Sequence, residues 1–227
     1  MAVEFKWSDF STAWQAALEE TWAAFVKGSY PIGAAITDAN GEIIARGRNH
    51  INDRDGLRGQ QVGGVQFAHA ELNALLVLPS DMKPEDLHAA HIYTTVEPCP
   101  LCVGAIYMSG IRNIHYASRD PYAGSIDILG NTQYMSRKPI RVEGPLDPDI
   151  DTVMLGLMVA YHKAIDEKFA SSAVYIRWQK KNSRGVAFGE RLANQGLLET
   201  LRGNQATAEH AISALFTFYH ENHEAES

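Results

Sequence analysis

Val96-Glu97-Pro98-Cys99-Pro100-Leu101-Cys102 contains the only two cysteines of the 227-residue chain, and 26 residues separate its Pro98 from Glu71 of an upstream His69-Ala70-Glu71. Two thiolates and one neutral imidazole balance a divalent cation and leave its fourth position to water. That is the ligand count of a catalytic zinc rather than a structural one. At the start of a helix, a spacing of three puts both sulfurs on one face. A helix N-terminus also stabilises thiolate, and Pro98 suits the entry to such a helix. Val103, Gly104, Ala105 and Ile106 follow, as expected of a helix buried against a sheet.

Glu71 lies two residues from His69, so its side chain leaves the first turn in another direction and is not a fourth ligand. A carboxylate beside a metal's water is placed to take a proton and pass it on, which is general acid and base work by one group. The competing reading is a surface glutamate favoured by the helix dipole. The Cys-x-x-Cys run alone would also suit a redox dithiol or half a structural zinc site. The first needs no upstream histidine. The second needs a fourth protein ligand, and no third cysteine exists. His50, His88, His91 and His115 are expected on turns or strand ends, and His220 and His223 in a solvated tail.

Working outward, Trp7 to Lys27 carries apolar residues at helical spacing (Phe10, Trp14, Leu18, Trp22, Phe25). Ser8 or Ser11 is its candidate cap, and Gly28 marks its end. Ile32 to Thr37 and Glu42 to Gly47 flank Asp38-Ala39-Asn40-Gly41, a hairpin signal. Ala68 to Leu78 reads as a helix stopped by Pro79. His91 to Thr95 and Asn113 to Ala117 read as short strands, and Asp149 to Phe169 as a long helix. This alternation argues α/β layering. Val174-Tyr175-Ile176 is expected to add a strand, and Thr207 to His220 a helix.

The chain resembles the cytidine and deoxycytidylate deaminase superfamily over about residues 8 to 165. Within it, it is nearest to the branch of tRNA adenosine deaminases and guanine deaminases. Besides the two metal motifs, Pro31-Ile32-Gly33-Ala34, Gly47-Arg48-Asn49, Thr95-Val96-Glu97-Pro98-Cys99 and Ser118-Arg119-Asp120-Pro121-Tyr122-Ala123-Gly124 carry the likeness. It implies a three-layer α/β/α sandwich with a central mixed sheet, here followed by a mainly helical C-terminal extension. His69, Cys99 and Cys102 match the zinc ligands and Glu71 the proton shuttle. Asn49, Ala70 and Asp120 match positions that bind or border the substrate. Two stretches depart from the family. One is the 19-residue loop between Asn49 and His69, read as a lid, a substrate-selecting wall or a tolerated insertion. The other is the tail from Ala170 onward, read as covering the pocket or a neighbouring subunit.

The expected domains are therefore a zinc-dependent deaminase domain over 1–169 and an extension over 170–227. Lys plus Arg number 20 against 27 Asp plus Glu, a net charge of −7, and Glu221, Glu224 and Glu226 make the end acidic. A protein gripping RNA needs basic surface. Only Arg177, Lys180, Lys181 and Arg184 cluster, and they read as a solvated patch. Nucleic acid is thus not expected as a partner. The expected activity is hydrolytic deamination of a free nucleobase or nucleoside, with tRNA adenosine deamination and a non-catalytic zinc protein as alternatives. A homodimer or larger homo-oligomer is expected. With no apolar run of membrane length, no signal pattern around Glu4, Lys6 and Asp9, and both cysteines claimed by zinc, the expected compartment is the cytoplasm.

Overall fold

The computed structural model describes residues 5–223. Glu224 and Glu226 of the acidic end lie outside them, as do the surroundings of the His223 side chain. Helix α1 (Thr12–Val26) starts where the Ser11 hydroxyl accepts the Trp14 N–H, and Gly28 follows it at φ +77°. Trp7–Asp9 forms a separate 3-10 turn. Strands β1 (Gly33–Thr37) and β2 (Ile43–Arg48) form the expected hairpin. Asp38 ties its turn by accepting the Asn40 and Glu42 N–H groups.

Helices α2 (Ala70–Leu76) and α3 (Pro84–Ala89), strand β3 (His91–Val96), helix α4 (Pro100–Ser109) and strands β4 (Asn113–Ser118) and β5 (Arg141–Glu143) follow. The sheet order is β2-β1-β3-β4-β5. β1 is antiparallel to β2 and β3, and β3, β4 and β5 are mutually parallel neighbours. His115 sits within β4 rather than at a strand end, and its Nε2 pairs with His91 Nδ1 at 2.8 Å.

Side chains alternate across the strands and so sort the layers. Ala34, Ile36, Ile92 and Ile114 pack with Ala74 of α2 and Ile106 of α4. Ala35 and Ala117 pack on the other face, with α1 and helix α5 (Pro148–Ile165). Two glycines let helices close on the sheet. A Cβ on Gly33 would lie 2.1 Å from the Ala17 carbonyl, and one on Gly47 would lie 2.3 Å from both the Ala70 oxygen and the Ala74 nitrogen. Gly47→Ala must therefore push α2, with His69 at its N-cap, away from the sheet. It is expected to cost about 3 kcal/mol, a fall in Tm of roughly 6–12 °C. Gly104→Ala, whose Cβ meets nothing within 4 Å, is expected to be neutral or to stabilise by up to about 1 kcal/mol. Paired thermal melts check the contrast.

Beyond α5 the chain is helical: α6 (Ala173–Lys181), α7 (Ser183–Gln195), α8 (Leu197–Gly203) and α9 (Ala208–His223). The expected strand at Val174–Ile176 lies inside α6. Ser172 caps that helix by accepting the Tyr175 N–H, and Trp178, four residues after Val174, is buried. Helical burial of that tryptophan overrides the β preference of a Val-Tyr-Ile run. α7 crosses α5 at backbone contact, since a Cβ on Gly189 would lie 2.5 Å from the Gly156 oxygen. Ala211, Ile212, Leu215 and Phe216 of α9 join α1 in one core. No helix among the described residues is long and apolar enough to cross a membrane.

Candidate metal centre and catalytic cleft

Two helix starts meet at the C-terminal ends of β1's neighbours. His69 is the N-cap of α2, Cys99 is the N-cap of α4, and Cys102 lies in its first turn. Cys99 Sγ and Cys102 Sγ are 3.7 Å apart, and His69 Nδ1 lies 3.4 and 3.3 Å from them. A tetrahedral zinc with Zn–S near 2.3 Å and Zn–N near 2.0–2.1 Å sets S···S at about 3.8 Å and S···N at about 3.5 Å. The three donors thus fit the edges of a zinc tetrahedron. Among the described residues they are the one group of metal-binding side chains close enough to share an ion.

Their proton chemistry agrees. The hydrogen bond from the Cys102 thiol brings Cys99 down to about 4, and the same bond, with burial, raises Cys102. The bond to Cys99 raises His69. The trio is therefore held around a thiolate, and a cation would displace the remaining thiol proton.

Glu71 points past the ligands. Its Oε2 lies 3.4 Å from Cys102 Sγ, and its Oε1 accepts the Thr94 hydroxyl at 3.2 Å. It is 4% exposed, and burial raises its carboxyl above the ordinary range, with His69 opposing. It opens on a cleft of about 420 Å³.

Asn49 lines that cleft just after β2. Its Oδ1 accepts the Ser29 hydroxyl at 2.7 Å and the Ile51 N–H at 3.0 Å. Its Nδ2 has no protein acceptor among the described residues and stays available to a ligand. Asp120 lines the opposite side, where its Oδ1 accepts from Tyr122 N, Ala123 N and Trp178 Nε1. Ala70 is fully buried at the first turn of α2 and does not line the cleft.

The loop between Asn49 and His69 is strapped down. Arg48 holds Asp53 through both oxygens at 2.8 and 3.0 Å, and Asn73 brackets Val62 through its N–H and carbonyl. Ile51 and Gln66 bring the loop into the cleft as wall. The extension supplies the other wall through Val174 and Trp178.

His162, Gln66 and Trp178 went unread in the sequence. His162 stacks on Phe169 at 4.6 Å between ring centroids, and burial pushes its pKa down to about 4, so it faces the cleft as neutral imidazole. Neither ring nitrogen has a protein partner among the described residues. The available signal was its place four residues after Met158, another cleft residue, on the buried face of α5.

Residues 8–118 match the family model for the cytidine and deoxycytidylate deaminase zinc-binding region. A tRNA-specific adenosine deaminase of Bacillus subtilis (strain 168) is 35% identical over 115 residues, 51% of this chain and 65% of the relative. The chain thus spans just under two thirds of that relative's length. A probable cytosine deaminase of Schizosaccharomyces pombe is 30% identical over 138 residues, 54% of this chain and 75% of the relative. A crystal structure of a protein in complex with 2,6-diaminopurine shares the fold, at 24% identity and a TM-score of 0.50, over 66% of this chain and 79% of that one. The name of the Bacillus relative leaves the exclusion of nucleic acid without support, since that expectation rested on net charge.

Proposed function

We propose that this chain, which belongs to the cytidine and deoxycytidylate deaminase family, is a zinc-dependent hydrolase that replaces the exocyclic amine of a nucleobase with oxygen and releases ammonia. The observation that carries the proposal is the buried Glu71 carboxylate, 3.4 Å from a ligand sulfur and open to a base-sized cleft. His69, Cys99 and Cys102 hold the zinc. Bound there, zinc supplies an electrophilic centre that brings the ionisation of water toward neutral pH.

Glu71 accepts one proton of the water and delivers it to a ring nitrogen. It then takes the second proton, from the added hydroxyl, and delivers it to the amine, whose C–N bond breaks as the carbonyl forms and ammonia leaves. Its raised pKa suits a group that must be protonated and deprotonated in one cycle. The Thr94 hydroxyl fixes one of its oxygens, so the carboxylate swings little between the two transfers. Asn49 Nδ2 donates to an acceptor on the ring, and neutral His162 offers either a donor or an acceptor at the rim. Trp178 and Val174 exclude water from that side.

A free base or nucleoside is the first reading of the substrate. α6 walls the cleft, and Glu97 and Asp120 make its rim acidic, which suits an uncharged, amine-bearing ring. Adenosine within tRNA is the second reading, favoured by the relatives named for that activity. Ammonia release from free bases, nucleosides, aminopterins and aminotriazines, set against inosine formation in an anticodon stem-loop, separates them. Conversion of the stem-loop alone would overturn the first reading.

Asn49→Ala leaves a buried partner unmet and is expected to lower kcat/KM by about 1–3 kcal/mol, roughly 5- to 150-fold, with zinc content unchanged. Wild-type efficiency on the true substrate would make Asn49 a strand-end residue only. We also propose a homodimer or larger assembly in the cytoplasm. Leu101 and Met108 on α4 are 44% and 64% exposed, an apolar face beside the metal that a second copy would cover. Two cysteines kept as metal ligands rather than paired in a disulfide suit a reducing compartment. A monomer by light scattering at micromolar concentration would contradict the assembly.

A further inference from the structure

A second cleft, of about 490 Å³, lies against the catalytic one. Glu97 lines both. Three pairs of chain neighbours are divided between them: Arg119, Pro121 and Arg177 line the outer cleft, while Asp120, Tyr122 and Trp178 line the inner. The wall between the two is therefore one residue thick at three places.

The outer cleft gathers Arg119, Arg177, Lys181 and Arg184 in a chain of net charge −7. Its two acids, Glu97 and Asp151, are held in place by neutral donors. Glu97 accepts the N–H groups of Asp120 and Ile126, and Asp151 Oδ1 accepts the Ser118 hydroxyl at 2.9 Å and the Arg119 N–H at 2.8 Å. Arg184 is bonded to Asp149 and Tyr219. Among the described residues no carboxylate lies within salt-bridge distance of Arg119, Arg177 or Lys181. Arg177 spends only its Nε, on the Pro121 carbonyl at 3.1 Å. That bond orients its guanidinium and leaves both terminal nitrogens for a ligand. Trp178 Nε1, at 3.0 Å from Asp120 Oδ1, clamps the next residue to the same loop.

Arg119, Arg177, Lys181 and Arg184 outnumber Glu97 and Asp151 on this concave surface, and an excess of cations suits an anion of more than one charge. Arginine forks, oriented by the protein, match the oxygens of a phosphate better than a point charge does. The anion covalently carried by a nucleobase, one sugar away from the ring, is phosphate. From this geometry we infer that the outer cleft is a phosphate subsite, occupied by a phosphate esterified to the sugar of the substrate whose base enters the zinc cleft. The inference rests on the proposed deaminase reading, keeps its chemistry, and puts a phosphorylated substrate in place of the free base or nucleoside. The substrate is a nucleotide unit, and a bare base or nucleoside fills only half of the site. The extension, through α6 and α7, is what creates the selectivity.

The test is direct binding to the zinc-loaded full chain by calorimetry. The probes are adenosine, guanosine and cytidine, each against its 5′-monophosphate, together with an RNA anticodon stem-loop, at low and moderate salt. A phosphorylated probe is expected to bind at least tenfold tighter than its nucleoside, with the advantage shrinking as salt rises. Arg177→Ala combined with Lys181→Ala should erase that advantage while nucleoside affinity, zinc content and Tm stay within error. Lys181→Glu, at an exposed residue with no ion pair, provides a second variant should the double one misfold. Arg177→Lys should restore part of the effect.

A mononucleotide advantage identifies a phosphate monoester. Stem-loop binding that depends on Arg177 and Lys181, without a mononucleotide advantage, identifies a backbone phosphodiester. Equal affinity for every nucleoside and nucleotide, with stem-loop binding untouched by the variants, overturns the inference. Phosphate-dependent binding without ammonia release from any probe would instead sink the deaminase reading and leave the subsite standing. Ammonia release from nucleosides with no phosphate preference would do the reverse.

Discussion

Glu71→Gln is expected to keep zinc and fold while losing about 10²- to 10⁴-fold in kcat, the range that general acid–base groups supply. The amide preserves the side chain's volume and an oxygen for the Thr94 hydroxyl, now 3.2 Å from Glu71 Oε1. It removes the capacity to carry a proton. Stability should hold or rise, because a carboxylate that is 4% exposed costs free energy to bury in its charged form. Loss of turnover with a constant or higher Tm therefore separates a proton carrier from a structural acid. Glu71→Asp is a useful companion. It keeps the acid but withdraws it by one methylene from its place beside Cys102, and misplacement by about 1 Å alone can cost about 10²-fold. Activity within about threefold of wild type in Glu71→Gln would take Glu71 out of the mechanism.

What the sequence disclosed depended on how far apart the deciding residues lie along the chain. Helix α1 and the hairpin follow from local rules: apolar spacing, the Ser11 cap, the Asp38 turn. The metal trio was legible because two local motifs each carry a fixed geometry, one helix start apiece. The features that were missed are those set by contacts at long range. Trp178 meets Asp120 across 58 residues, and nothing local in Val174–Ile176 says that the run winds as a helix to bring it there. β5 has three residues and depends on β4 for its pairing. α3 and α8 are only 6 and 7 residues long and carry little periodicity, whereas α7 buries Val186, Gly189 and Leu192 at helical spacing, a signal that was there to be read. His162 becomes a cleft residue because α5 crosses the sheet at that level. The basic cluster around Arg177 reads as a solvated patch until Arg119, 58 residues earlier in the chain, is seen across the same cleft. Net charge, a property of the whole chain, says little about such a local concentration.

The largest loss is expected at the metal. Cys102→Ala should leave zinc occupancy near background after dialysis and remove turnover altogether. Two remaining donors, the His69 and Cys99 atoms 3.4 Å apart, cannot close a tetrahedron. Glu71, with Oε2 3.4 Å from Cys102 Sγ, could be drawn to the metal only at the loss of the proton carrier, so turnover falls either way. Cys102 is the more telling of the two cysteines because it is fully buried, at 0% exposure, so a solvent-borne substitute ligand cannot reach its place. Stability should fall with the metal. A ligand held at about a thousandfold over its Kd adds about 4 kcal/mol to the folded state. Its loss from a chain of this size lowers Tm by roughly 8–16 °C. Adding a chelator to the wild-type protein should produce a fall of the same size and none in the variant, which separates loss of metal from damage to α4 packing. A variant that retained full zinc by elemental analysis would show that the ion sits elsewhere. The identification of His69, Cys99 and Cys102 as its ligands would then fall, and with it the placing of Glu71 beside the reacting water.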